Sequence, residues 1–270
     1  MHQPLITLIK KRLFWIALLF FVWLFCSGQA RSGALAERLG NFPNWTDKPP
    51  VQTAVGDLVY PTWMSGAWSM TTTLVDMAAP LAPDIMTPGF EGNRQFLNRP
   101  VECTVRFVAA QPQVSSDRLV PAIVSHTPQV ISDRGFNGLN LARAYLGEEA
   151  VKAVKVDPNN PNRQITVLGD NRQLVSTVTG RAIEIPAEGE FATTEVFQQV
   201  FRGTPQPYLN QVETTTIYRK LDTQPPTFDA DQVTAIYLSP QDPDYFRAMN
   251  KPVGLYRYRL VFSQVESAAE

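Results

Sequence analysis

The sequence predicts an all-β, mainly antiparallel protein, a barrel or strongly curved sheet of about ten strands with one or two short helices. Two patterns carry this expectation. Apolar and polar residues alternate with a period of two in run after run from Gly66 to the C-terminus, and Gly, Pro, Asn and Asp separate the runs. Helical spacing is confined to a few brief stretches.

In chain order, residues 31–59 form a lead-in, with a helix expected from Gly33 to Leu39 and then the proline-rich stretch NFPNWTDKPPVQTAVGD. The main domain is expected over 60–266. Its first long strand sends Trp68, Met70, Thr72 and Leu74 to one face. APLAPDIMTPGFEGN, residues 79–93, reads as a loop, and Val101, Cys103, Val105 and Phe107 then mark a second half-buried strand. Further strands are expected at 119–125, 151–156, 163–169, 173–179, 191–202, 211–221 and 233–239, with NPN and DN marking tight reversals. Residues 205–231 hold a second pair of proline-rich breaks. DRGFNGLN, 133–140, reads as a turn leading into a helix over Leu139–Leu146. A second helix is expected over 242–249, capped by Asp242 with Pro243 in its first turn. The last strand places Tyr256, Tyr258, Leu260 and Phe262 opposite Arg257, Arg259 and Val261.

The first thirty residues read as a secretory leader. Lys10, Lys11 and Arg12 precede an apolar run from Leu13 to Cys26, and Gly28 and Ala30 supply a small-x-small cleavage site. Such a run rises about 21 Å as a helix, short of the roughly 30 Å hydrocarbon core, which favours cleavage over anchoring. An exported chain, in a periplasm or thylakoid lumen, is therefore expected. Cleavage removes three basic residues and no acidic one, so the remainder is acidic and has no footprint for nucleic acid. It also leaves Cys103 alone, without a disulfide or a cysteine metal cluster, so stability rests on the core.

In YPTWMSGAWSMTTTLVDM, residues 60–77, Gly66 and Trp68 resemble the Gly-x-Trp opening of lipocalins and other calycin barrels. The resemblance implies a barrel of about eight to ten strands that Gly66 opens and Trp68 closes under an arginine of the last strand, Arg257 or Arg259. DLVYPTWMSGAWSM with APLAPDIMTPGFEGN behind it resembles a family of uncharacterised exported proteins of cyanobacteria and chloroplasts, a domain of unknown function. Phycobiliprotein lyases share a looser likeness, and their cytoplasmic setting conflicts with a leader.

Enzyme chemistry is not expected. His126 is the one histidine after the leader, which excludes a two-histidine metal site and leaves a Ser125, His126 and Asp133 grouping with no nucleophile motif around it. Cys103 alternates with apolar neighbours and reads as an inert thiol. Glu148, Glu149, Glu184, Glu188 and Glu190 read as solvated loop edges, and no cofactor or metal is called for. The expected function is binding of a hydrophobic small molecule, a lipid, quinone or pigment, by Trp68, Met70, Phe107, Tyr256 and Tyr258. The competing expectation is a filled barrel that docks on a membrane-complex protein through its loops, since Leu81, Ile85, Met86 and Phe90 need cover.

Overall fold

A computed structural model describes residues 33–110 and 128–265. The leader, the expected strand at 119–125, Ser125 and His126 lie outside them. Helix α1 (Ala34–Gly40) precedes the short strands β1 (Gln52–Thr53) and β2 (Val59–Tyr60). Then come β3 (Gly66–Ala78), β4 (Pro100–Ala109), β5 (Val130–Ser132) and helix α2 (Arg134–Leu146). An antiparallel run follows: β6 (Val151–Asp157), β7 (Asn160–Leu168), β8 (Gln173–Glu184), β9 (Glu190–Arg202), β10 (Tyr208–Leu221) and β11 (Thr227–Leu238). Helix α3 (Tyr245–Ala248) and β12 (Gly254–Gln264) end the fold.

All of these strands belong to one sheet in the order β2-β5-β4-β3-β12-β11-β10-β9-β8-β7-β6, with β1 paired to β8. Among the described residues the sheet curls strongly but stays open, because no ladder joins β2 to β6. The wall expected to be a closed barrel of eight to ten strands is thus a half-barrel of twelve. Helix α2 occupies the seam, packed against β4 on one side and against β6 and β7 on the other.

Local chemistry explains why a helix can stand where a strand would. Strand β5 is short and stops pairing beyond Phe107 and Ser132, so β4 would expose its edge at Arg106. The Asn137 side chain of α2 replaces the missing ladder. Its Oδ1 accepts from the Arg106 N–H at 2.7 Å, and its Nδ2 donates to the Arg106 carbonyl at 3.0 Å. Asp133 caps α2 by accepting from Phe136 N at 3.0 Å, and it holds the Arg106 guanidinium at 2.6 Å. Gly138 lets the helix lie close to β7, since a Cβ there would come within 2.8 Å of the Gln164 amide.

Helix α2 therefore starts at Arg134, with both glycines of DRGFNGLN inside it, five residues before the position its apolar pattern marks. The cap and the edge contacts to β4 are worth more than about 1 kcal/mol per helical glycine. Helix α3 is also shorter than expected. Asp244 occupies its cap, and the Asp242 carboxylate accepts from Asp244 N at 2.9 Å. The DN reversal falls where expected, at Asp170 and Asn171, both with φ of 57°, between β7 and β8. The NPN of residues 160–162 instead opens β7, whose Asn160 already pairs with Asp157, and Pro158 and Asn159 make the turn before it.

The concave face is packed at both ends. At one end Gly66 enters β3 with φ of 119°, a conformation open to glycine, and Trp68 lies edge-on to Phe228 at 4.7 Å. Phe228 in turn stacks on Phe262 at 4.1 Å. At the other end the 79–97 segment folds in. Phe90 packs with Leu74 and Tyr256, and Ile85 with Leu238, Ala248 and Val253.

The convex face is covered by the lead-in. Leu35, Leu39 and Trp45 bury Ile217, Val233, Ala235, Tyr237 and Leu255. Each large apolar side chain buried this way contributes about 1.5–3 kcal/mol.

Candidate functional site

Between the two packed ends, the concave face and α2 border an open cleft of about 210 Å³. Met70 of β3, Val105 and Phe107 of β4 and Leu141 of α2 form its apolar wall, with the Tyr60 and Tyr218 rings beside them. These positions share the space because the period of two sends them all to the concave side, in the registers Met70 with Cys103 and Trp68 with Val105. The Tyr60 and Tyr218 rings meet edge to face at 6.2 Å. Burial raises the ionisation of both hydroxyls well above the ordinary tyrosine range, so both rings are neutral at any physiological pH.

A polar cluster stands behind this wall. Arg181 of β8 lies opposite Glu195 of β9 in the ladder. Its Nε and Nη2 donate to Glu195 Oε1 at 2.9 and 2.6 Å, while Nη2 also reaches Asn162 Oδ1 and Nη1 the Gly56 carbonyl. Arg134, the first residue of α2, approaches the other carboxylate oxygen of Glu195 at only 3.6 Å, beyond hydrogen-bond reach. It lines both the 210 Å³ cleft and an adjoining cavity of about 90 Å³ bounded by Asp57, Leu58, Tyr60, Ser132 and Glu195.

The residues expected to form the site are divided by the fold. Met70 and Phe107 line the cleft. Trp68 is 3% exposed in the packed end, where its indole N–H donates to the Met64 carbonyl at 2.8 Å. Tyr256 plugs the opposite end against Phe90 at 5.6 Å, and Tyr258 packs between the two clusters. The arginine expected over Trp68 is absent. Arg257 and Arg259 lie on the convex side of β12, the first over the Phe42 ring at 5.9 Å and the second 3.7 Å from Asp229. Alternation in β12 forces this outcome, since Tyr258, Leu260 and Phe262 take the concave positions. The indole is held by an aromatic ring and a carbonyl instead.

Sequence reasoning missed Tyr60, Arg134, Leu141, Glu195 and Tyr218. Arg134 follows the helix cap Asp133, and the alternation of β9 and β10 puts Glu195 and Tyr218 on the inner face. What the pattern lacked was the strand pairing that makes this face one wall.

The other chemical candidates separate. Cys103 is half-buried, and burial pushes its thiol up to about 11, which keeps it protonated and unreactive at neutral pH. Asp133 is engaged as a helix cap. Glu148 and Glu149 are exposed, with side-chain accessibilities of 75% and 99%. Among the described residues no group of three His, Cys, Asp or Glu side chains is placed to hold a metal ion. Nor is any described helix long and apolar enough to cross a membrane.

No curated protein and no solved structure matches the chain. A family model does, over residues 52–266, a span that takes in every strand of the curled sheet and the whole of the cleft. The chain accordingly belongs to the family described as domain of unknown function DUF6816.

Proposed function

We propose that the protein is an exported, non-enzymatic binder that holds one small apolar molecule on the concave face of its sheet, much as a lipocalin holds its ligand. The observation that carries this reading is the cleft between two fully packed ends. The fold fills the rest of its interior with Trp68, Phe228, Phe262, Leu74, Phe90 and Tyr256, and between these ends the largely buried Met70, Val105 and Phe107 floor a cleft on which Leu141 stands partly exposed. Leu141 alone is 37% exposed. Drug-sized ligands occupy pockets of roughly 300–1,000 Å³. A volume of about 210 Å³ therefore favours a short acyl chain or a single ring over a carotenoid or a tetrapyrrole.

Native mass spectrometry of protein purified from its own compartment tests this directly. A molecule present near one per chain, and lost when Leu141→Trp fills the cleft, is the expected result. An empty chain with no saturable response to small apolar molecules overturns it.

Loop docking on a protein of a membrane complex is the second reading. The 79–93 loop supports it less than its composition implied, because Ile85 and Phe90 are buried within the domain. What favours it is Phe246 of α3, 84% exposed, and Met249 at its C-terminal end, 67% exposed, in the connection between β11 and β12. Retention of partner binding in a Phe246→Ser, Met249→Ser variant would remove that support.

A further inference from the structure

We infer that the cleft selects an amphiphile with an anionic end group, a medium-chain carboxylate being the simplest member, and that Arg134 is the residue that recognises the charge. This rests on the proposal that the cleft binds a small apolar molecule, and adds the chemistry of its polar end.

The argument begins with the charges that share the interior. Arg181 and Arg134 carry two positive charges, and Glu195 carries the single negative charge within 4 Å of either. Arg181 takes one Glu195 oxygen, Oε1, in two hydrogen bonds, while the other, Oε2, faces Arg134 at 3.6 Å. The Arg181 donors are committed to Glu195, Asn162 and the Gly56 carbonyl, and its side chain is 8% exposed. Arg134 is left over. Its guanidinium makes no hydrogen bond to any described residue, and its side chain is 16% exposed. A guanidinium carries five N–H donors in a planar fork, and one removed this far from solvent without acceptors loses more than a surface arginine does.

The direction in which Arg134 is accessible decides what it can bind. On the side of the small cavity it meets Asp57 and Glu195, which repel an anion. On the side of the larger cleft the lining contains no carboxylate among the described residues, and Arg134 is its one charged residue among them. The neighbouring polar side chain of α2, Asn137, has its amide committed to Arg106 and Ser132. An anion entering from the cleft thus finds beside it one cation whose N–H groups make no hydrogen bond to a described residue. The rest of its chain finds Met70, Val105, Phe107 and Leu141. Apolar wall and single cation together describe an amphiphile rather than a free inorganic ion, for which the apolar wall has no use. A carboxylate matches the fork in two parallel hydrogen bonds.

Titration of the full chain with sodium octanoate and, separately, with 1-octanol tests the inference. Binding is followed by calorimetry and by the methyl resonances of Met70, Val105 and Leu141. Octanoate is expected to bind at least about tenfold more tightly than the alcohol, the factor that one charge-assisted hydrogen bond supplies. Arg134→Gln should bring the two affinities within about threefold by weakening octanoate alone. If the wild-type chain binds acid and alcohol equally at these methyl groups, the charge selection is wrong and the cleft reading stands. If neither molecule moves the methyl resonances, the cleft reading itself fails and takes the inference with it. The comparison of the two probes needs only the wild-type chain, so a poorly folding variant does not remove the test.

Discussion

Both faces of the curled sheet bury an arginine against a glutamate, and the two pairs are built to different ends. On the convex face, Arg38 of the lead-in reaches Glu213 of β10, which has no exposed side-chain surface. Nε and Nη2 donate to the two carboxylate oxygens at 2.7 and 2.8 Å, the Tyr237 hydroxyl donates at 2.8 Å, and the Thr215 hydroxyl at 2.7 Å. Trp45 lies under the guanidinium at 4.0 Å and donates its own N–H to the Arg38 carbonyl. Burial opposes the charge on Arg38, but the hydrogen bonds and field of Glu213 outweigh it and raise its pKa above the ordinary arginine value. Every partner in that network is consumed. On the concave face two arginines share one glutamate, one of them is left without a hydrogen-bonded partner, and a cavity lies in front of it. A closed network fastens the chain to itself. An open one of the same residue types leaves binding capacity for something else.

The largest effect expected from breaking this contrast is on the convex side. Glu213→Ala removes the buried carboxylate that Arg38, Tyr237 and Thr215 share, leaving Arg38 with the Asp47 carbonyl and a 3.6 Å contact to the exposed Asp47 carboxylate, and should cost about 3–5 kcal/mol in urea unfolding. Replacing both partners, Arg38→Met with Glu213→Leu, should recover most of that loss, because no unpaired charge then remains buried. Failure of the double variant to recover would mean that the network does more than seal the lead-in onto β10 and β11.

A smaller effect is expected at the seam. Asn137→Ala removes the two bonds by which the α2 side chain continues the β4 edge, leaving the Arg106 N–H without its partner while the Arg106 carbonyl keeps the Asp133 N–H at 3.2 Å. A loss of about 1–3 kcal/mol is expected, with fast amide hydrogen exchange at Arg106. An Arg106 amide that stays protected in the variant would show that something other than Asn137 covers the edge.

How much of this could be read beforehand follows from which interactions are local. Alternation and turn residues are local, so the strands, the hairpin at Asp170 and Asn171 and the inward set of Trp68, Met70, Leu74, Val105 and Phe107 were legible. So was the grouping of Tyr256, Tyr258, Leu260 and Phe262 on one face of the last strand, though not which face of that strand turns inward. The extra strands were missed because β1, β2 and β5 are two or three residues long and exist only through their partners. The start of α2 was missed because two glycines lower its intrinsic tendency, and the compensating contacts to Arg106 and Gln164 come from β4 and β7. Trp68 was expected to line the site, since a tryptophan after Gly66 marks the inside of the sheet. Alternation does not tell a packed end from an open middle, which depends on what the 79–97 segment and α2 place against each.

The smallest effect is expected where the concave network is open. Arg134→Gln removes a charge that makes only a 3.6 Å contact to Glu195, and Glu195 keeps both of its bonds from Arg181. The stability change should stay within about 1 kcal/mol, as for other loosely held ion pairs. Arg181→Gln would take from Glu195 the partner that Arg134 does not supply, so the two arginines should differ by several fold in their effect on unfolding although they share one carboxylate. Equal losses for the two would mean that Arg134 is as firmly committed to the fold as Arg181. In that case the cleft would have no spare cation, and the difference between the two faces of the sheet would reduce to the volume left in front of Met70 and Phe107.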